Sequence, residues 1–165
     1  MNSQEFRNNL LLKRPRYAVS RIPVLDAFSE KGSKSADYSR FGPYYEIYIY
    51  AMMLGIKKKQ RLPLPPRDLT KDFIEMGKWK RDSSLIDFLL MVIFTQTDNL
   101  QIDWNELEDM GQEDLNKVIS SVVNLIEEYA NGGLAYLEEL WENGKLDNSH
   151  YMFIDLYNTS SNNDN

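Results

Sequence analysis

Apolar residues recur at helical spacing from Leu115 to Tyr129, and this pattern restricts the fold of the chain more than any other. They stand at offsets 0, 3, 4, 7, 8, 11 and 14 from Leu115, the period of a helix that buries one face. Glu113 and Asp114 precede them, where the helix dipole favours carboxylates. Asn131-Gly132-Gly133 predicts the end of this helix and a sharp corner, because glycine permits a left-handed turn and a close approach of backbones.

Five further helices are predicted from apolar segments with start or stop residues. They cover Pro23 to Glu30, Pro43 to Leu54, Leu85 to Phe94, Leu134 to Trp141 and His150 to Tyr157. The segment after Pro43 is expected to end at Gly55, and its alternating Ile and Tyr leave a strand as the alternative. The segment from Leu85 is apolar nearly all round, which predicts the central helix of the core.

A connector without helix is predicted for Gln60 to Arg67, because Pro63, Pro65 and Pro66 interrupt it. At 165 residues the chain has the length of one domain. We therefore predict an all-α fold, a single compact domain of about five or six helices. Residues 1–42 are expected to form an irregular basic N-terminal arm, residues 43–157 the helical domain, and residues 158–165 a disordered tail.

The absence of cysteine excludes thiolate metal sites, iron-sulfur clusters and cysteine nucleophiles. Residues 1–12 lack the residue order of a secretory signal. The apolar stretch from Phe88 to Phe94 is far shorter than the about 20 residues that span a bilayer. A cytoplasmic protein without a membrane partner is expected.

Catalytic patterns are scarce in the sequence. His150 is the single histidine, so a Ser-His-Asp triad depends on it, and an ordinary position in the last helix is the favoured interpretation. Three acidic groups could bind magnesium, although adjacent acids on helices usually form a solvated face. These groups are Glu127-Glu128, Glu138-Glu139-Glu142 and Glu106-Glu108-Asp109. We predict no enzymatic activity, no catalytic residue, no metal and no cofactor.

Charge is divided unevenly along the chain. Met1 to Arg81 holds 17 Lys or Arg against 8 Asp or Glu, a net of +9, whereas Asp82 to Asn165 holds 2 against 17, a net of −15. One interpretation is that the basic residues share a face that attracts a phosphate backbone. The alternative, weighed equally, is that the two halves pack together and neutralise each other.

Five cations on or near the connector are the candidate nucleic-acid contacts. They are Lys57, Lys58, Lys59, Arg61 and Arg67. Cations along an extended segment can contact successive phosphates, and the preceding tyrosines could stack on bases. The alternative is that the lysines cap a helix end and the tyrosines fill the core; it is favoured for the tyrosines and evenly balanced for the cations.

Two segments resemble a known family. Residues 41–64 combine an aromatic and apolar helix ending in Leu-Gly with a basic turn, and residues 127–140 contain the string Tyr-Ala-Asn-Gly-Gly. Both resemble the small helical proteins associated with Dnd DNA-phosphorothioation systems. The motif positions are Gly55, Arg61, Tyr129, Asn131, Gly132 and Gly133. The resemblance implies a role in anti-phage defence through DNA modification and implies no catalytic residue.

The leading hypothesis is therefore a non-enzymatic accessory subunit of a bacterial DNA-modification or anti-phage defence system. It would bind protein partners through its acidic C-terminal half, with DNA contact through the basic half left open. The alternative is a free-standing nucleic-acid-binding module. A metal-dependent nuclease that uses Glu127, Glu128 or the acids around Glu138 is less favoured.

Overall fold

The computed structural model describes residues 2–30, 40–80, 84–96, 100, 102–146 and 151–159, and helices dominate these ranges. The α-helices are α1 Asn2–Leu11, α2 Ile22–Phe28, α3 Tyr44–Lys57, α4 Ser84–Phe94, α5 Gln112–Glu142 and α6 Met152–Thr159. Two short strands, β1 Arg16–Ala18 and β2 Thr70–Asp72, pair in one small sheet. The all-α prediction is thus confirmed as mostly α. Within the described ranges, every helix is too short or too polar to cross a membrane.

The chain forms two compact units, and neither is continuous in sequence. The first unit consists of Met1–Arg16 and Asp72–Glu127, and the second consists of Tyr17–Lys71 and Glu128–Asn165. Each unit therefore combines residues of the basic first half with residues of the acidic second half. The predicted tail of residues 158–165 lies outside the described residues from residue 160 onward.

The irregular basic arm predicted for residues 1–42 is not confirmed. Its described residues include α1, β1 and α2, and α2 agrees with the helix predicted at Pro23. Phe6 and Leu10 of α1 are buried in the first unit, and Val24 and Leu25 of α2 are buried in the second. These apolar residues are too widely spaced among polar ones to form a long periodic run, which explains why the sequence did not predict α1.

Helix α3 begins where the sequence predicts and ends later. Pro43 precedes it in an extended conformation, but the helix continues through Gly55 to Lys57. The strand alternative is wrong, because the buried residues recur at helical spacing. They are Ile47, Tyr48, Ala51, Met52, Leu54 and Gly55. Lys59, at φ 52°, makes the left-handed turn after the helix in place of the predicted glycine.

Hydrogen bonds close this turn in the pattern of a Schellman motif. The Lys59 amide donates to the Ile56 carbonyl at 3.0 Å, and the Gln60 amide donates to the Gly55 carbonyl at 2.8 Å. The chain then continues without helix or strand from Gln60 to Pro66, as predicted for the connector.

Helix α4 is confirmed in position, but the prediction that it lies centrally in the core is wrong. Ile86, Leu89, Leu90 and Ile93 are buried. The other side of the helix leaves the large apolar residues Phe88, Met91 and Phe94 exposed. An all-round apolar sequence therefore does not mark a fully buried helix here.

Helix α5 corrects the prediction at Asn131-Gly132-Gly133. The predicted helix from Leu115 and the one from Leu134 are a single helix of 31 residues, and the predicted corner does not exist. A glycine in a helix costs about 1 kcal/mol relative to alanine. The packing of α3 and the connector explains why two are present. A Cβ on Gly133 would overlap the Ala51 carbonyl, and one on Gly132 would overlap the Gln60 carbonyl.

We predict that Gly133→Ala destabilises the protein by about 1–3 kcal/mol, as overpacking does. Helix propensity alone predicts the opposite sign, a gain of about 1 kcal/mol. Urea unfolding followed by circular dichroism distinguishes the two. Gly111→Ala is the matched control, because a Cβ there would meet nothing within 4 Å. A stabilised Gly133→Ala variant would contradict the close packing.

Candidate interaction site

The five candidate cations lie at the end of α3, along the connector and just after it. They are Lys57, Lys58, Lys59, Arg61 and Arg67. The Lys57 ammonium lies 4.0 Å from the ring centroid of Tyr157, and the Lys58 ammonium lies 4.9 Å from that of Tyr136. Both distances are typical of cation–π contacts. Two of the candidate side chains are therefore held against aromatic rings of the second unit.

The other three candidate cations have different surroundings. The Arg61 Nε donates to the carboxylate of Glu128, so its charge is balanced within the second unit. Lys59 and Arg67 are exposed. The predicted cluster is thus present as a stretch of chain, and its members differ in how far they are available to a ligand.

The connector is fastened to α5 by backbone and side-chain hydrogen bonds. The Leu62 amide donates to the Glu128 carbonyl at 3.1 Å. The Asn131 Nδ2 donates to the Leu62 carbonyl at 3.3 Å and to the Pro63 carbonyl at 3.0 Å. The prolines of this segment have no N–H group, so they form no regular backbone ladder with a neighbouring element. The carbonyls of the segment therefore accept from other donors, among them the side chain of Asn131.

Asn131 also receives a hydrogen bond from the N-terminal part of the second unit. The Arg21 Nε donates to the Asn131 Oδ1 at 3.2 Å, and the Arg21 Nη1 donates to Glu138, about two turns further along α5. The side-chain amide of Asn131 is thereby used on both of its ends. A buried amide in the middle of a helix is explained by these partners.

The two segments that resemble the Dnd-associated proteins meet at this place. The Tyr129 carbonyl lies against Gly55, where a Cβ would overlap it, and the Gln60 carbonyl lies against Gly132. All six motif positions therefore belong to the junction of α3, the connector and α5. Close backbone packing accounts for the glycines, as the sequence suggested, although without a helix corner.

Arginines of the first half of the sequence pair with acids of the second half inside each unit. The pairs are Arg7–Asp87 and Arg16–Glu127 in the first unit, and Arg21–Glu138 and Arg61–Glu128 in the second. Glu127 is 3% exposed and accepts from the Arg16 amide at 2.9 Å and from its Nη2 at 3.0 Å. At these four arginines, the interpretation in which the two halves neutralise each other is the correct one.

The same pairs occupy acids that the nuclease alternative requires. Glu127, Glu128 and Glu138 each accept a hydrogen bond from an arginine. Among the described residues, no group of three or more His, Asp or Glu side chains is placed to hold a metal ion. His150 lies outside the described residues.

Comparison with known protein families identifies the family of this chain. A family model described as DNA sulphur modification system-associated protein 4 matches residues 28–165. The chain belongs to this family. The resemblance to Dnd-associated proteins is thereby confirmed, and both segments that carry it lie within the match. No curated protein and no solved structure gave a significant match.

Sequence reasoning missed a surface that this member of the family exposes on α4. Phe88 is 41% exposed, Met91 69% and Phe94 37%. We call these three residues the α4 face. They follow one another at intervals of three, so they lie on one side of the helix. The signal was present in the sequence, because a helix that is apolar all round in a small protein has more apolar surface than its core can take.

We predict that Asn131→Ala loosens the connector and destabilises the protein by about 1–3 kcal/mol, because the part-buried carbonyls of Leu62 and Pro63 lose their donor. Limited proteolysis should cut the variant between residues 60 and 67 faster than the wild type. Asn124→Ala, at an exposed position of the same helix, is the control and should leave both quantities unchanged. Equal proteolysis of both variants would show that Asn131 does not hold the connector.

Proposed function

We propose that this chain is a non-enzymatic accessory subunit of a DNA sulphur modification system, and that it binds another protein of that system through the α4 face. Family membership supports the association with such a system. The observation that carries the contact itself is the exposure of two phenylalanines and a methionine on one side of one helix. Exposed apolar patches of this kind mark interaction sites in proteins that otherwise bury such residues.

The composition of the α4 face fits a protein partner. Aromatic residues and methionine are enriched at protein–protein interfaces, and methionine adapts its shape to the opposing surface. The buried side of α4 holds the face in position. Arg7 pairs with Asp87 through two hydrogen bonds, at 2.8 and 3.2 Å, beside the exposed Phe88.

The charge of the first unit indicates the chemistry of the partner. The sequence of this unit, residues 1–16 and 72–127, contains 8 Lys or Arg and 13 Asp or Glu. Exposed acids before and within the first turn of α5 contribute to this excess; they are Asp103, Glu106, Glu108, Asp109, Glu113 and Asp114. We therefore expect a partner surface that combines apolar residues with an excess of cations, because complementary charge accelerates association and excludes wrong partners. This agrees with the predicted role of the acidic half.

The non-enzymatic part of the proposal is supported by the pairing of the acids. Glu127, Glu128 and Glu138 stabilise the two units by accepting from arginines, and an acid in this role has fewer lone pairs left for a metal ion. The glycines of the motif likewise have a structural role, because they allow the close backbone contacts at the α3–α5 junction.

We predict that Met91→Asp weakens binding to the partner by at least about tenfold, the equivalent of about 1.4 kcal/mol. The wild type and the variant should be co-expressed with the other proteins of a DNA sulphur modification system, and complexes measured by size-exclusion chromatography and calorimetry. Ile154→Asp is the matched control, because Ile154 is an exposed apolar residue of α6 in the second unit. A wild-type chain that stays alone at micromolar concentration would contradict the proposal.

DNA contact through the connector region is the second candidate function. One observation favours it: residues 57–71 contain six Lys or Arg and a single Asp. Lys59 also adopts a left-handed conformation, which costs a residue with a side chain roughly 1–2 kcal/mol and which glycine adopts freely. The use of lysine instead of glycine at this exposed turn is explained if the charge of Lys59 has a function there.

This second candidate predicts that duplex DNA retains the wild type at low salt and that the triple change of Lys57, Lys58 and Lys59 to Glu abolishes retention. The cause is the loss of phosphate contacts. A matched variant changes three exposed lysines of the first unit, Lys78, Lys80 and Lys117, to Glu, with the same change in net charge. Absence of wild-type retention, or an equal loss in both variants, would remove this candidate.

A further inference from the structure

A cavity of about 490 Å³ lies in the second unit between α3 and α6. Its walls are mostly apolar and aromatic, and are formed by Phe41, Tyr50, Met53, Phe153, Ile154 and Tyr157. Its volume is within the roughly 300–1,000 Å³ typical of sites for small molecules, which have walls of the same kind. Arg40 and Asn158 also line the cavity, so a charged and a polar side chain lie beside the apolar walls.

The aromatic wall is held in place before any ligand arrives. Phe153 lies with its ring centroid 4.6 Å from that of Phe41 and 5.1 Å from that of Tyr50. The Tyr50 hydroxyl donates to the Phe153 carbonyl at 2.7 Å. A tyrosine hydroxyl is protonated at neutral pH, and burial raises the pKa of Tyr50 further, so the hydroxyl keeps donating in alkaline solution as well. The wall is therefore a preorganised apolar surface.

One cation lines this apolar space, and a second contacts an aromatic ring that lines it. The Arg40 side chain is half exposed, and its Nη1 donates to Glu30 at 3.2 Å. An exposed pair of this kind is weak, and the guanidinium has further donors. The second cation is Lys57, whose ammonium lies over the ring of Tyr157, a residue that lines the cavity.

We propose that the α3–α6 cavity binds a small molecule that combines a flat apolar ring system with an anionic group. The rings would fill the space between Met53, Phe153 and Ile154, and the anion would lie near Arg40 or Lys57. Flat rings suit a wall of aromatic side chains, which stack on them. A cation at the edge of an apolar wall favours an anionic group attached to the apolar body, because the anion can stay near that charge at the edge while the rings are buried. None of its residues belongs to the α4 face, and the proposal does not depend on that face.

The probe for this site is anilinonaphthalene sulfonate, an aromatic anion, and its neutral analogue is phenylnaphthylamine. Fluorescence titration of the folded wild type should give saturable binding of the anionic probe at one site. In NMR spectra, the methyl resonances of Met53 and Ile154 should shift, and that of Met91 should not. Ile154→Asp should weaken binding by about tenfold or more, whereas Met91→Asp, the same kind of change on the α4 face, should not.

Further variants distinguish the loss of the apolar wall from the addition of a charge and from unfolding. Met53→Gln removes an apolar wall without adding charge and should also weaken binding; thermal unfolding establishes that each variant is folded. Arg40→Gln and Lys57→Gln should weaken the anionic probe and leave the neutral one unchanged. No saturable binding to the wild type, shifts confined to the α4 face, or binding unaffected by both Ile154→Asp and Met53→Gln would overturn the site. Equal effects of the charge variants on both probes would overturn its preference for an anion.

Discussion

The packing of α3 and the connector against α5 depends on three glycines that let backbone meet backbone. Gly133 lies against the Ala51 carbonyl, Gly132 against the Gln60 carbonyl, and Gly55 against the Tyr129 carbonyl. At each contact a Cβ would overlap a backbone atom that no side-chain rotation can move. These contacts bring the connector to Asn131, which then holds it by hydrogen bonds. The architecture of the second unit follows from this close approach.

The sequence predicted the periodic parts of the fold well and the glycine pair incompletely. The spacing from Leu115 identified α5, and the apolar segments identified α3 and α4. Asn131-Gly132-Gly133 has the composition of a helix end. Its continuation as helix is decided by α3, which is distant in sequence, so no local rule could supply it. The same holds for Gly55, which the sequence places at a helix end and the structure places inside one.

The sequence showed which cations lie close together along the chain, but it could not show what surrounds them in the fold. The cations from Lys57 to Arg67 are where the sequence places them, but ring contacts and Glu128 engage three of them. Opposite charge in two halves of a sequence can mean a charged face or internal pairing, and only the fold distinguishes these. Four arginines of the basic half pair with acids of the acidic half, so part of the opposite charge of the two halves is neutralised within the units. The apolar composition of α4 was visible in the sequence, but which of its residues are exposed, and where the α3–α6 cavity lies, depends on how much apolar surface the neighbouring elements cover.

The family motif thus has a structural explanation, and the proposed contact with a protein partner uses the α4 face, which lies outside the motif. Amide hydrogen exchange of the native protein tests this explanation most directly. Continuous strong protection from Tyr129 to Leu137, together with protection of the Leu62 amide that donates to Glu128, is the predicted result. Rapid exchange centred on Asn131 to Gly133, as at a helix end, would contradict it.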